Sequence, residues 1–152
     1  MLYSEKLRPF AAAHPCRTID VDGAQFRYIL TGKPEGRTRV FLNGGMNTLE
    51  MWMDYVDALA GTGRVLLFDY PQQLRTNQAL VAGMHAFFAA VKGKILLILP
   101  DQDFFSGQMQ QDLIRLMHEP EIRYVSGGHL STVLKTEDYI RTIRAFLAGQ
   151  PD

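Results

Sequence analysis

The sequence has little cysteine, no long apolar run and no excess of charge of either sign. A single cysteine, Cys16, among 152 residues excludes an internal disulfide and a cysteine-based zinc site. No apolar run reaches the roughly 18 residues that a membrane-spanning helix needs. Residues 1–6 lack the charged and apolar regions of a signal peptide. We therefore expect a cytoplasmic protein with no membrane partner.

The charge balance also excludes a class of partner. Sixteen Lys and Arg residues face sixteen Asp and Glu residues, so the formal net charge is zero and nucleic acid is not an expected partner. With 47% hydrophobic and 21% charged residues, the composition is that of an ordinary globular domain. The length predicts one domain, residues 18–152, preceded by an N-terminal arm, residues 1–17.

Apolar runs alternate with helical patterns along the chain. An Asp22-Gly23 pair between two short runs indicates a tight hairpin, because glycine takes a positive φ without strain. Strands are expected at 18–22, 25–31, 39–42, 64–69, 95–99 and 122–126. Helices are expected at 49–60, 74–90, 108–118 and 136–148, the last capped by Thr136. This alternation specifies an α/β fold, a three-layer sandwich with a mostly parallel sheet and an N-terminal β-hairpin.

Acidic residues and a histidine follow two of these strands. The unbroken apolar run 95–99 is expected to be buried on both faces, and Asp101 and Asp103 come just past its end. Gly127-Gly128-His129 follows the strand 122–126, and His129 is 26 residues after Asp103. Ligands bind at the carboxyl ends of strands in open α/β sheets. We therefore expect a carboxylate and the imidazole to meet there.

Four motifs in this order resemble the α/β-hydrolase fold family of serine-hydrolase type. The segment Phe41-Leu42-Asn43-Gly44-Gly45-Met46 is similar to the loop that helps form the oxyanion hole, with Asn where His is commoner. Phe68-Asp69-Tyr70-Pro71 fits the next strand end, and the acid then precedes the histidine as in the family. The resemblance covers 18–90 and 92–148, two separated parts of the family, and implies a shortened α/β-hydrolase-like core.

The resemblance assigns roles to the residues that match. It implies that Asp103, rather than Asp101, is the triad acid and that His129 is the base. The backbone N–H groups of Gly45 and Met46 would form the oxyanion hole. The implied activity is hydrolysis of a carboxylic ester or related acyl bond in a small molecule, with no cofactor and no metal. Without the resemblance, His129 reads as a loop histidine and Asp103 as an acid favoured by a helix dipole.

The nucleophile of the family has no counterpart here. The sequence contains no Gly-x-Ser-x-Gly elbow, which should follow the helix at 74–90. The substitute nucleophiles considered are Ser106, Ser126, Ser131 and Thr48, none of which has an elbow setting. No nucleophile is therefore identified. Loss of the corresponding strand, helices and cap would leave a sheet edge or apolar surface exposed, which favours self-association.

Three functions remain open from the sequence. The first is a hydrolase that uses Asp103 and His129. The second is a hydrolase-like remnant that folds but makes no acyl-enzyme. The third is a small nucleotide- or phosphate-binding domain with the loop 43–48 at a helix N-terminus, although the Gly-x-Gly-x-x-Gly and Walker patterns are missing.

Overall fold

The chain divides into two compact units, Met1–Ala79 and Leu80–Asp152. The structure is a computed structural model that describes residues 3–21, 23–35, 38–42, 48–71, 77–90, 93–104 and 107–149. Within these residues, no helix has both the length and the apolar character needed to cross a membrane. The division into an arm, 1–17, and a domain, 18–152, stays a prediction.

The first unit combines a four-stranded sheet with short helices. Its elements are α1 (Tyr3–Ala13), β1 (Arg17–Val21), β2 (Ala24–Gly32), β3 (Thr38–Phe41), a 3₁₀ turn (Leu49–Trp52) that continues into α2 (Met53–Leu59), a second 3₁₀ turn (Ala60–Thr62), and β4 (Arg64–Phe68). The strand order is β1-β2-β4-β3. The β1–β2 and β2–β4 pairs are antiparallel, whereas β3 and β4 run parallel.

The predicted hairpin joins β1 to β2. Val21 pairs with Ala24, and Gly23 has a φ of +79°, which is the conformation that favours glycine at this turn. Asp22 lies outside the described residues. The helical stripe predicted at 49–60 is confirmed, because Leu49, Val56 and Leu59 are fully buried. The strand β4 supplies two more fully buried side chains to this core, those of Val65 and Leu67.

The edge position of β3 differs from the sequence prediction. The apolar run Val40-Phe41-Leu42 predicts a buried strand at 39–42, but among the described residues β3 pairs only with β4 in the sheet order, and Val40 is 37% exposed. An edge strand lacks a neighbour on one side, so part of its surface stays open to solvent. The N-terminal segment forms the helix α1, in which Phe10 is buried and Lys6 donates to Asp54 of α2 at 2.8 Å.

The second unit carries a parallel pair of strands between helices. Its elements are α3 (Asn77–Ala90), inside which the unit boundary falls, β5 (Leu96–Pro100), α4 (Gly107–Arg115), β6 (Glu121–Val125), α5 (Ser131–Leu134) and α6 (Thr136–Ala148). Leu96 pairs with Glu121 and Pro100 with Val125. The predicted α/β class is confirmed.

Two details of this unit correct the sequence analysis. Burial of β5 alternates, with Leu97 and Leu99 buried and their neighbours half-buried, so the strand is not equally covered on its two faces. Thr136 is the first residue of α6 and not its cap, because its hydroxyl donates backwards to the carbonyls of Thr132 and Val133. Both carbonyl groups belong to the short helix α5, which lies just before α6 and was not predicted.

Asp69 connects the end of β4 to the start of the helical segment at Leu49. Its Oδ1 accepts the Leu49 backbone N–H at 2.6 Å, and its Oδ2 accepts an Arg27 N–H at 2.9 Å. Arg27 also pairs with Glu50 at 2.7 Å. A carboxylate at the beginning of a helix satisfies an N–H that has no partner within the helix and complements the helix dipole. Asp69 therefore has a structural role in the first unit.

Replacing Asp69 with alanine should destabilise the first unit. The Leu49 N–H loses its acceptor and Arg27 loses one of its two carboxylates, so we expect a loss of about 1–3 kcal/mol in the free energy of unfolding. Urea unfolding followed by circular dichroism measures this loss. Glu35→Ala, which removes an exposed loop carboxylate, is the matched control and should leave the midpoint unchanged. An Asp69→Ala midpoint equal to that of the control would contradict the capping role.

Candidate active site

Two loops at the carboxyl end of the β5–β6 pair are held together by main-chain hydrogen bonds. The Asp101 N–H donates to the Val125 carbonyl at 3.1 Å, and the Gln102 N–H donates to the Gly127 carbonyl at 3.0 Å. These bonds connect the two loops directly beyond Pro100 and Val125, the last residues that pair between β5 and β6. The residues that follow, Asp103 and His129, are therefore delivered to the same edge of the sheet.

The side chain of Asp101 stabilises the loop that follows β6. Its Oδ1 accepts the Gly127 N–H at 2.8 Å. Gly127 has a φ of +136°, and a Cβ placed on it would lie 3.1 Å from the Cβ of Ser131, so glycine suits this position for both conformation and space. The backbone conformation and the nearby Ser131 thus explain why the first residue of the Gly-Gly-His motif is glycine, which the sequence alone did not show.

The structure brings His129 and Asp103 together, as the sequence predicted. Nδ1 of His129 lies 3.2 Å from Oδ1 and 3.4 Å from Oδ2 of Asp103. The Asp103 side chain is 7% exposed and that of His129 is 46% exposed. An ionised carboxylate only accepts hydrogen bonds, so Nδ1 carries the proton and donates it. The basic lone pair is then on Nε2, which is the arrangement that a general base requires.

An aromatic ring packs against the imidazole. The ring centroids of Phe104 and His129 are 4.4 Å apart with an interplanar angle of 43°, and Phe104 itself is 74% exposed. This contact limits rotation of the imidazole about its Cβ–Cγ bond and gives the site an apolar wall. The sequence motifs assign no role to Phe104, although its position directly after Asp103 is a usable signal.

The substitute nucleophiles do not form an elbow in the described residues. Ser131, which is two residues from His129, is only 2% exposed, and its Oγ is hydrogen-bonded to the Tyr139 hydroxyl at 2.8 Å. Ser126 and Thr48 are exposed, at the end of β6 and before the Leu49 turn. Ser106 lies outside the described residues, as do the predicted oxyanion-hole residues Gly45 and Met46.

The donor set of the site suits acid–base chemistry better than metal binding. Among the described residues, no group of three or more His, Cys, Asp and Glu side chains is arranged to hold a metal ion. The carboxylate of Asp103 is directed at an imidazole nitrogen, and that of Asp101 at a backbone N–H. The arrangement can orient a neutral imidazole and stabilise its protonated form.

Comparison with known proteins identifies the fold class. The chain has the α/β-hydrolase fold, as the motifs predicted. It is similar to a predicted CIB-like hydrolase from Thermoplasma acidophilum, with a TM-score of 0.65 and 13% identity over 90% of this chain and 99% of the other. It is also similar to the carboxylesterase CesB (YbfK) from Bacillus subtilis, with a TM-score of 0.66 and 9% identity over 98% of each chain.

These likenesses are structural rather than sequential. No family model matches the sequence, and no curated protein is found as a relative. At 9% and 13% identity the solved structures establish the fold alone, so the chemistry has to be argued from the residues of this chain.

Replacing Asp101 tests whether the two loops are held as described. Asp101→Ala removes the acceptor of the Gly127 N–H, and we expect it to lower the free energy of unfolding by about 0.5–1.5 kcal/mol. Asp101→Asn keeps an amide oxygen that can accept the same bond, so it should retain most of the stability. Urea unfolding of both variants gives the comparison. Equal losses in the two variants would show that the Gly127 bond is not the source.

Proposed function

We propose that the Asp103–His129 pair acts as an oriented general base for the hydrolysis of a carboxylic ester or a related acyl bond in a small molecule. The observation that carries the proposal is the donation from His129 Nδ1 to a carboxylate that is 7% exposed. A buried carboxylate fixes both the tautomer and the orientation of the ring, and it stabilises the imidazolium that forms during the reaction. The names of the two structural neighbours, a hydrolase and a carboxylesterase, support this class of reaction.

Water is the nucleophile in this proposal. Nε2 of His129 removes a proton from a water molecule as its oxygen adds to the ester carbonyl, which gives a tetrahedral intermediate. The intermediate collapses to the carboxylic acid and expels the alkoxide, which takes the proton back from the imidazolium. One ester and one water thus yield one acid and one alcohol. The donors to the oxyanion stay a prediction from the sequence, the backbone N–H groups of Gly45 and Met46, which lie outside the described residues.

A p-nitrophenyl ester tests the reaction. We expect the 152-residue chain to hydrolyse it faster than free imidazole at the same concentration. His129→Ala should remove the catalysed rate, a loss of about 10²–10⁴-fold, which is the usual contribution of a general base. Asp103→Asn should lose most of the rate as well, because an amide can present its N–H to the ring and favour the wrong tautomer.

A matched histidine control accompanies this experiment. His118→Ala removes an exposed histidine three residues past the end of α4 and should leave the rate unchanged. A wild-type rate no higher than that of free imidazole would falsify the hydrolase proposal. An equal loss in His118→Ala and His129→Ala would point to a nonspecific effect of histidine.

A catalytically inactive hydrolase-fold protein is the second candidate. It is favoured by the missing Gly-x-Ser-x-Gly elbow and by the pairing of Ser131 with Tyr139, which keeps the hydroxyl of that serine buried and hydrogen-bonded. The nucleotide-binding alternative depends on the loop 43–48, of which only Thr48 is described, and it stays a prediction.

A fluorophosphonate reagent examines the serine directly. Because Ser131 is buried and hydrogen-bonded, we expect no labelled adduct by intact mass after incubation of the native protein. A labelled serine, located by peptide mapping, would contradict both the water route and the inactive alternative. A classical serine hydrolase treated in parallel provides the positive control for the reagent.

A further inference from the structure

Two buried hydroxyl groups lie behind the His129 loop. Ser131 is the first residue of α5 and is 2% exposed, and Tyr139 lies in the first turn of α6 and is 4% exposed. Their oxygens are 2.8 Å apart. Buried hydroxyls require hydrogen-bond partners, and each of these two satisfies the other. The bond therefore connects the segment that carries His129 to the longer helix α6.

Ser131 is also fixed through its main chain. Its N–H donates to the Gly128 carbonyl at 2.9 Å, and its carbonyl accepts the Lys135 N–H at 2.7 Å. These bonds connect it to the glycine before His129 on one side and to the start of α6 on the other. We therefore expect a displacement of the Ser131 side chain to move the backbone of His129 as well.

The phenol of Tyr139 is electrostatically coupled to the acid of the pair. Burial raises the pKa of Tyr139 above its ordinary value of 10.0; the hydrogen bond from Ser131 opposes the increase, and the negative charge of Asp103 adds to it. Tyr139 therefore stays neutral at physiological pH and retains its hydroxyl proton. The hydroxyl pair and the Asp103 carboxylate thus belong to the same poorly solvated region of this unit.

We propose that Ser131 and Tyr139 are positioning residues, whose hydrogen bond holds His129 in the orientation that donates Nδ1–H to Asp103. This inference rests on the function proposed above and specifies how its base is kept in place. When the bond is lost, Ser131 loses its side-chain connection to α6 and the ring departs from its acceptor. The Nδ1–H tautomer then loses the interaction that stabilises it.

A purely structural role makes a different prediction. In that case the hydroxyl pair contributes only to the stability of the core, and any variant that remains folded keeps the imidazole orientation of the wild type. The two roles are separated by observing the ring of His129 itself and not by observing stability.

The experiment reads the tautomer of His129 by NMR. The whole 152-residue chain is labelled with ¹⁵N in the histidine rings and studied at about pH 8.5, where free imidazole is neutral. Correlations from the non-exchanging ring protons to both ring nitrogens distinguish the Nδ1–H and Nε2–H forms. The chain contains four histidines, so the signals of His129 are those missing from the His129→Ala spectrum.

We expect the wild type to be mainly in the Nδ1–H form. Ser131→Ala and Tyr139→Phe should change His129 to mainly the Nε2–H form, which predominates in free histidine, and the double variant should do the same. Tyr124→Phe, at an exposed tyrosine of β6, and Ser4→Ala, at an exposed serine of α1, are the matched controls and should keep the wild-type form.

The outcomes separate this inference from the proposed function. An unchanged Nδ1–H form in both single variants, with wild-type circular dichroism, overturns the positioning role, and so does an Nε2–H wild type. If a single variant does not fold, the double variant decides, because replacing both partners leaves no buried hydroxyl unsatisfied. If the variants change the tautomer of His129 but the wild type does not hydrolyse the ester, the positioning role is supported and the hydrolase proposal is contradicted.

Discussion

Parallel pairing of β5 with β6 is the constraint on which the candidate site depends. Two parallel strands end at the same edge of their sheet, and two further main-chain bonds, from Asp101 and Gln102, carry the pairing into the loops. Asp103 and His129 are 26 residues apart in sequence, yet they are only three and four residues past Pro100 and Val125, the last residues that pair between the two strands. Their 3.2 Å contact is therefore a consequence of strand register, and the loops need little length of their own.

The two acids after β5 show how position in a loop decides a carboxylate's use. Asp101 directs its oxygen back to the Gly127 N–H and stabilises the loop conformation. Asp103, two residues further, reaches the imidazole and is nearly excluded from water. A partly desolvated carboxylate that is hydrogen-bonded to an imidazole interacts with it more strongly than the same pair would in water. Asp101 thus stabilises the loop that carries His129, while Asp103 contacts the imidazole itself.

Sequence patterns predicted the parts of this chain that depend on local periodicity and strand order. The hairpin at Gly23, the buried stripe of Leu49, Val56 and Leu59, and the pairing of Asp103 with His129 follow from turn chemistry, helical spacing and parallel topology. The edge position of β3 and the helical start at Thr136 depend on which neighbours are present, and local sequence carries no such information. The Ser131–Tyr139 bond crosses a break between two helices, where helical spacing has no predictive value.

The pairing of Ser131 explains why proximity to a base does not make a serine a nucleophile. A serine hydroxyl attacks a carbonyl only when it is exposed, directed at the base and able to transfer its proton. Ser131 is close to His129 in sequence but is buried and bonded to a phenol that burial keeps neutral. Its chemistry is accordingly that of a fixed hydrogen-bonding group. In this unit the acid and the base are hydrogen-bonded to each other, while the hydroxyl of Ser131 is bonded to Tyr139. For this reason we propose activation of water and not acylation of this serine.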